Sequence, residues 1–367
     1  MTADATETRR YQWPMWSNDG RLAFFCCVAL DNTPIVLETF VSQDGSQAAE
    51  LVYTGEDQVF YHAFWSPATC SDGASCRDLA ILLNDLDEET LAVQVVRSGE
   101  TGVSDFVIGT GDPFYYNWSP DGTRMVWQRF NREFSIYDFA TESNTLLDFT
   151  PGFVQAPAWS PVDDRLLLGV YNEAERLTDL VIVEGETVTT LAEGIEGLVS
   201  YSWSPDGTAV AYRVLAEGNS GPLYVLNATT GAVLASSPEV GVFAFFWSPD
   251  SSRVAYVTSA QAQSDGSSAK RAQGQQRVGL AWAVLDVSAN TSRVQHIFIP
   301  TNETIYLLNF FDQFAPSHRI WSPDSTAIIF GEISPEGKAV VSILDMIDGD
   351  AVPSYVADGF VGVWSYN

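Results

Sequence analysis

Only three histidines occur in the 367 residues, and two of them occupy matched places. His62 and His318 each stand three residues before a tryptophan, Trp65 and Trp321, that opens a Trp-Ser-Pro tripeptide. Two imidazoles at equivalent positions could share a metal or act as acid and base. As plain structure, each would bond a neighbouring backbone group. The same position before the other tryptophans holds Trp13, Tyr115, Ala156, Ser200, Ala244 and Val361, so no ring of metal ligands is visible. His296 lies in the apolar run Val294-Gln-His-Ile-Phe and reads as structural. The stretch Asn309 to Ile320 sets Asp312, Gln313, His318 and Arg319 among three phenylalanines, and polar groups beside aromatics suit a ligand pocket. Asp112, Tyr115 and Gln155 occupy similar segments ahead of other tryptophans and are candidates for the same face.

Other reactive groups carry less. Cys70 and Cys76 flank a short loop and could close a local disulfide, which would imply an oxidising compartment. Cys26 and Cys27, in the apolar run FFCCVAL, read as core filler on opposite faces of a strand. No Cys/His cluster has zinc spacing, and no Gly-x-Ser-x-Gly elbow occurs. The acidic groups Asp85/Asp87/Glu88/Glu89 and Asp348/Asp350 match no EF-hand loop and suit hairpin turns. No cofactor is therefore expected, apart from a divalent metal should the channel hold one.

Charge narrows the partners. Eighteen basic against 47 acidic residues leave a net charge of −29, which repels phosphate backbones and argues against nucleic acid. No apolar run is long enough for a membrane helix, so no transmembrane segment is expected. The first residues, MTADATETRRYQ, are polar and lack the apolar centre of a signal peptide. That fits a cytoplasmic protein, or an exported one whose signal is not in this sequence.

The elements that must position these side chains are repeats. Trp-Ser pairs recur at Trp16, Trp65, Trp118, Trp159, Trp203, Trp247, Trp321 and Trp364, at intervals of 49, 53, 41, 44, 44, 74 and 43. Most intervals match one four-stranded propeller blade, about 40–50 residues. Several motifs read Ser-Pro-Asp-Gly, in which Pro presets φ, Asp bonds back to the backbone and Gly accepts positive φ, as a hairpin turn requires. β-Rich runs such as Arg124-Met-Val-Trp-Gln and Ala209-Val-Ala-Tyr-Arg come next, and no segment shows a sustained helical period. Each tryptophan ends an inner strand, with its ring expected between neighbouring blades. The 74-residue interval holds a Ser/Gln/Gly/Ala-rich stretch, about 259–277, that reads as a mobile loop between the second and third strands of its blade. Lys270 and Arg271 make it a basic spot on an acidic protein and a candidate partner-binding loop.

These residues resemble the TolB-like propeller repeat, a relative of the WD-repeat propellers, over roughly residues 11–367. The expected fold is all-β, a single propeller of seven four-stranded blades behind a flexible N-terminus of about ten residues. The alternative is eight blades, the last incomplete. Trp16 and Trp364 compete for one inner strand, and Trp364 is a candidate to close the ring beside the N-terminal strands. The motif density, the lack of a recognisable catalytic set and the basic loop point to a non-enzymatic protein- or peptide-binding module, expected to be a monomer, and the resemblance implies an extracytoplasmic or periplasmic setting near the cell envelope. The alternative function is a channel-metal, lactonase-like hydrolase on the same propeller.

Overall fold

A computed structural model describes residues 9–28, 35–45, 48–68, 78–99, 102–153, 156–216, 219–238, 241–259 and 279–365. The chain forms seven antiparallel sheets in sequence order. Blade 1 spans residues 9–56, blade 2 58–110, blade 3 114–146, blade 4 158–195, blade 5 198–236, blade 6 242–298 and blade 7 321–358. Within every blade the chain steps outward from the channel, each strand pairing with the next. In blade 7 the innermost strand shrinks to a bridge between Trp321 and Ile328. Seven blades replace the eight-blade alternative.

Blades bury both faces, and the sequence reflects it. The second strand of blade 2, Asp78–Asp85, is apolar at every position from Leu79 to Leu83, and all five side chains are buried. Outermost strands meet solvent instead: Ser143–Leu146 of blade 3 and Ser354–Asp358 of blade 7 are exposed throughout.

The repeated turn works as its residues imply. Ser119 Oγ donates to Asp121 Oδ1 (2.6 Å) and accepts from the Arg124 amide (2.9 Å), while the Thr123 amide donates to the same Asp121 oxygen (3.1 Å). Gly122 closes the turn at φ 68°, and a Cβ there would lie 2.3 Å from Ser66 Oγ of the preceding blade. In blades 6 and 7 serine takes this place. Ser251 and Ser325 adopt φ of 60° and 61°, and each hydroxyl reaches back one blade to accept from the Asp206 and Asp250 amides (both 3.1 Å). An inter-blade hydrogen bond thus offsets the left-handed backbone of a residue with a Cβ.

The motif tryptophans join blades, as expected. Trp65, Trp118, Trp203, Trp247 and Trp321 donate Nε1–H to the carbonyls of Met15, Phe64, Ala158, Ser202 and Phe246, over 2.9 to 3.4 Å. Each acceptor immediately precedes the motif tryptophan of the blade before. Arg21, Arg124 and Arg165 stack on Trp65, Trp159 and Trp203 of the following blade.

Ring closure differs from the expectation. Trp16 ends the inner strand of blade 1, Arg9–Trp16, but Trp364 joins no strand. After the outer strand of blade 7, the chain crosses back over its own blade: a Cβ on Gly362 would press on Ile329 and Val341. The Trp364 amide donates to Arg319 O (2.8 Å) in the segment leading into that blade. Trp364 therefore belongs to the last blade rather than the N-terminal sheet, and the described strands of the two ends stay in separate sheets.

Two short helices interrupt the all-β pattern between blades 6 and 7, α1 (Asn302–Asn309) and α2 (Phe311–Phe314). Thr301 caps α1, its side chain accepting from the Thr304 amide. Thr304, Leu307, Leu308, Phe311 and Phe314 all turn inward, a helical spacing that carries the segment into the channel. Among the described residues no helix is long and apolar enough to cross a membrane.

Candidate functional site

The helices stopper the channel at the end where the inner strands begin. Phe314 packs on Trp13 of blade 1 (centroids 5.2 Å) and His62 of blade 2 (4.8 Å). Gln313 treats the inner strand of blade 3, Phe114–Trp118, as a partner strand: its Nε2 donates to Tyr116 O (2.8 Å), and its Oε1 accepts from the Tyr116 amide (3.2 Å). Asp312 accepts from the Ala156 amide ahead of blade 4 and faces the Arg213 charge of blade 5. Phe311 lies between the Arg213 guanidinium (5.2 Å) and Phe245 of blade 6 (4.7 Å). Tyr306 Oη donates to Tyr61 O (3.2 Å).

His62 and His318 do converge, on a shared hydroxyl. Ser317 Oγ lies 3.0 Å from His62 Nε2 and 2.8 Å from His318 Nδ1. Both rings are buried among Trp13, Tyr116 and Phe314. Burial drives His318 down to about 3, and burial together with the neighbouring imidazole pushes His62 well below its ordinary value. Two neutral rings at neutral pH form a packed polar contact across the seam between the plug and blade 2. Burial raises Asp312, with Arg213 and the Ala156 and Gln313 amides opposing. Burial also raises Tyr115, helped by the carboxylates of Asp312 and Asp112.

On the other side of the plug, at the motif end, lies a cavity of about 550 Å³. Its walls are repeated parts: the motif tryptophans of blades 2 to 7 and turn prolines such as Pro67, Pro120, Pro161, Pro205 and Pro249. Its floor is the plug, through Asp312, Ala315, Pro316, His318 and Arg319. Among the described residues Asp312, His318, Arg319 and Tyr201 are its ionisable linings, and Arg319 reaches Asn18 Oδ1 of blade 1 (3.4 Å).

The sequence candidates thus separate. Asp312, His318 and Arg319 each line the cavity floor, while His62 and Gln313 hold the plug from behind. Tyr115 is buried beside them, and Asp112 is exposed on the far face, away from the cavity. Gln155, Lys270, Arg271, Cys70 and Cys76 lie outside the described residues. His296 bonds Glu332 Oε2 of blade 7 (3.3 Å) at the rim of blade 6. In the acidic turns the carboxylates serve the backbone, Asp85 Oδ1 accepting from the Asp87 and Glu88 amides (3.2 and 3.1 Å). Among the described residues no three His, Cys, Asp or Glu side chains gather to hold a metal ion. Sequence reasoning missed Arg213 and Ser317; an arginine inside the apolar run Ala209-Val-Ala-Tyr-Arg was the available signal for the first.

No protein-family description and no curated protein matches the chain. Solved structures do. An oligogalacturonate lyase in complex with manganese superposes with a TM-score of 0.53 at 14% identity, covering 91% of this chain and 88% of that one. The β-propeller domain of the trilobed protease from Pyrococcus furiosus, described as having an open velcro topology, gives 0.53 at 12% identity over 95% and 96%. TolB from Acinetobacter baumannii is also similar, at 13% identity over 93% and 81%, but its TM-score of 0.42 adds nothing to the assignment. At these identities the likeness establishes architecture: the chain is a seven-bladed β-propeller.

Proposed function

We propose that this propeller is a non-enzymatic binding module that takes a protein or peptide segment into the motif-side cavity. The observation that carries the reading is the construction of that cavity. Its walls are indole and proline with Asn18, Ser66, Asn117, Ser160 and Ser202 set among them, and its floor is a helical plug anchored to the surrounding blades. Aromatic walls supply contact area at low entropic cost, and Asp312 and Arg319 offer one acceptor and one cation to orient a chain. The hydrolase alternative gains no ligand set from the described residues. A monomer belongs to the same reading, and so does an extracytoplasmic setting, which the resemblance to TolB-like repeats implies.

Peptides selected from a random library on the full chain test it. Ala315→Trp fills the floor and Arg319→Glu reverses its cation. Both variants should bind the selected peptides at least about tenfold more weakly, a change of about 1.4 kcal/mol. Peptides that bind both variants as well as the parent overturn the proposal.

A further inference from the structure

The opposite face, where the plug closes the channel, carries a collar of part-exposed aromatic side chains. All five exposed phenylalanines among the described residues lie at this end: Phe130 (47% exposed), Phe153 (54%), Phe243 (39%), Phe310 (37%) and Phe360 (56%), whose carbonyl accepts from Thr301 at the start of α1. Each comes from a different part of the ring. Phe130 tops the hairpin between the second and third strands of blade 3, and Phe153 stands in the segment leading to blade 4. Phe243 opens the inner strand of blade 6, and Phe310 joins the plug helices. Exposed Tyr61 and Ile305 extend the collar towards blade 2. Single exposed apolar side chains are ordinary, but a set gathered on one end of the molecule marks an interaction surface.

The Phe130 backbone is a second, independent observation. It sits at φ 58° and is followed by Asn131 at φ 51°, the left-handed pair at the centre of a turn that the Arg132 amide closes on Arg129 O (3.1 Å), within the three-residue loop between paired Arg129 and Glu133. Asparagine or glycine adopts that geometry readily, whereas phenylalanine carries a Cβ penalty and here exposes its ring as well. A costly residue at an exposed apex points to use rather than to folding. The Arg129 guanidinium lies 5.7 Å from the ring and covers one side.

Charge selects the occupant. Among the described residues, the hairpins and leading segments of this face carry exposed Asp87, Glu88, Glu89, Asp112, Glu173, Glu175, Glu196 and Glu336, against exposed Arg132, Arg176 and Lys338; the basic stretch with Lys270 and Arg271, between the second and third strands of blade 6, lies outside the described residues. A second copy would bring the same acidic rim and another net −29, and an anionic membrane would also be repelled. An apolar centre inside an acidic rim complements an amphipathic helix whose polar face is basic. We propose that the plug-side face docks a cationic amphipathic helical segment of a partner protein.

Two peptides of about eighteen residues and identical Leu/Lys composition test this by fluorescence anisotropy. One has its leucines on a single helical face, and the other is scrambled. The full chain should bind the amphipathic peptide about tenfold or more tightly than the scrambled one, more weakly as salt rises from about 25 to 150 mM. The triple variant Phe130→Ser/Phe153→Ser/Phe243→Ser keeps the acidic rim and should bind both peptides alike. Val352→Ser, in the exposed hairpin between the third and fourth strands of blade 7 at the motif end, should leave the preference unchanged. If the triple variant fails to fold, Phe153→Ser alone should reduce the preference. The proposal is overturned by equal binding of the two peptides to the parent, by a preference that survives in the folded triple variant, or by binding to phosphatidylglycerol vesicles or self-association in place of the peptide.

Discussion

Trp159 and Trp203 form a matched pair in which one hydrogen bond is the difference. Both are motif tryptophans, 5% and 6% exposed, and both lie under an arginine of the preceding blade at 5.0 and 4.8 Å. Trp203 donates Nε1–H to Ala158 O (3.1 Å), whereas Trp159 Nε1 is buried with no partner. The cause is local. The inner strand of blade 4 is only Ala158–Trp159, and the Trp159 amide is drawn onto Asn117 Oδ1 (3.2 Å). Phenylalanine at either site removes similar apolar area, so that loss cancels between the two variants. At Trp203 it also removes a hydrogen bond worth about 0.5–1.5 kcal/mol, and at Trp159 it relieves an unmet donor that costs about 1–3 kcal/mol. Trp203→Phe should therefore be the more destabilising by about 2–4 kcal/mol. With an unfolding entropy of roughly 2.1 cal/mol/K per residue over 367 residues, the two melting temperatures should differ by about 3–5 °C in calorimetry. Equal shifts, or a larger loss at Trp159, would refute the indole bond as the element joining the blades.

Three further outcomes are expected from the same geometry. Ser325→Ala keeps the left-handed Cβ and loses the bond from the Asp250 amide, so it should cost about 1 kcal/mol; Ser325→Gly, which also relieves the backbone, should be near neutral in the same denaturant titration. Gln313→Leu strands the Tyr116 amide and carbonyl, and should lower stability by about 2–6 kcal/mol; a change under about 0.5 kcal/mol would mean that the plug does not need that pairing. The buried histidines set an acid limit. Their folded values lie below the unfolded value of about 6.5, so below that pH the unfolded chain binds more protons and stability falls by up to about 1.4 kcal/mol per unit for each ring. The loss for His318 continues down to about 3. The motif carboxylates Asp121, Asp206 and Asp250 are held below their ordinary range and act in a lower window. His318→Gln should flatten the stability curve between about pH 6.5 and 4 by up to one proton, and an unchanged slope would mean that the ring is protonated in the folded protein.

The propeller was legible because its information is local and repeated. Trp-Ser-Pro-Asp-Gly sets a strand end, a turn and a positive φ within five residues, as at Trp118–Gly122. The plug was not. Eight and four residues are too few to stand out as amphipathic helices, and what stabilises α1 and α2 is contact with the surrounding blades. The spacing of Thr304, Leu307, Leu308, Phe311 and Phe314 carried the signal, but the loop-like segment around it hid the period. The matched positions of His62 and His318 were visible, and their convergence on Ser317 required the plug. Ring closure was hidden because Trp364 repeats the motif without its turn. Its backbone is held instead by the segment leading into blade 7, the Trp364 amide bonding Arg319 O.

The binding account is tested most directly by hydrogen exchange of the full chain with and without a library-selected peptide. The account predicts slowed exchange at residues 315–321 of the plug and at the motif turns around Ser119, Ser160 and Ser204, with the outer strands unchanged. Protection confined to the outer strands, or a library that yields no binder, would contradict it.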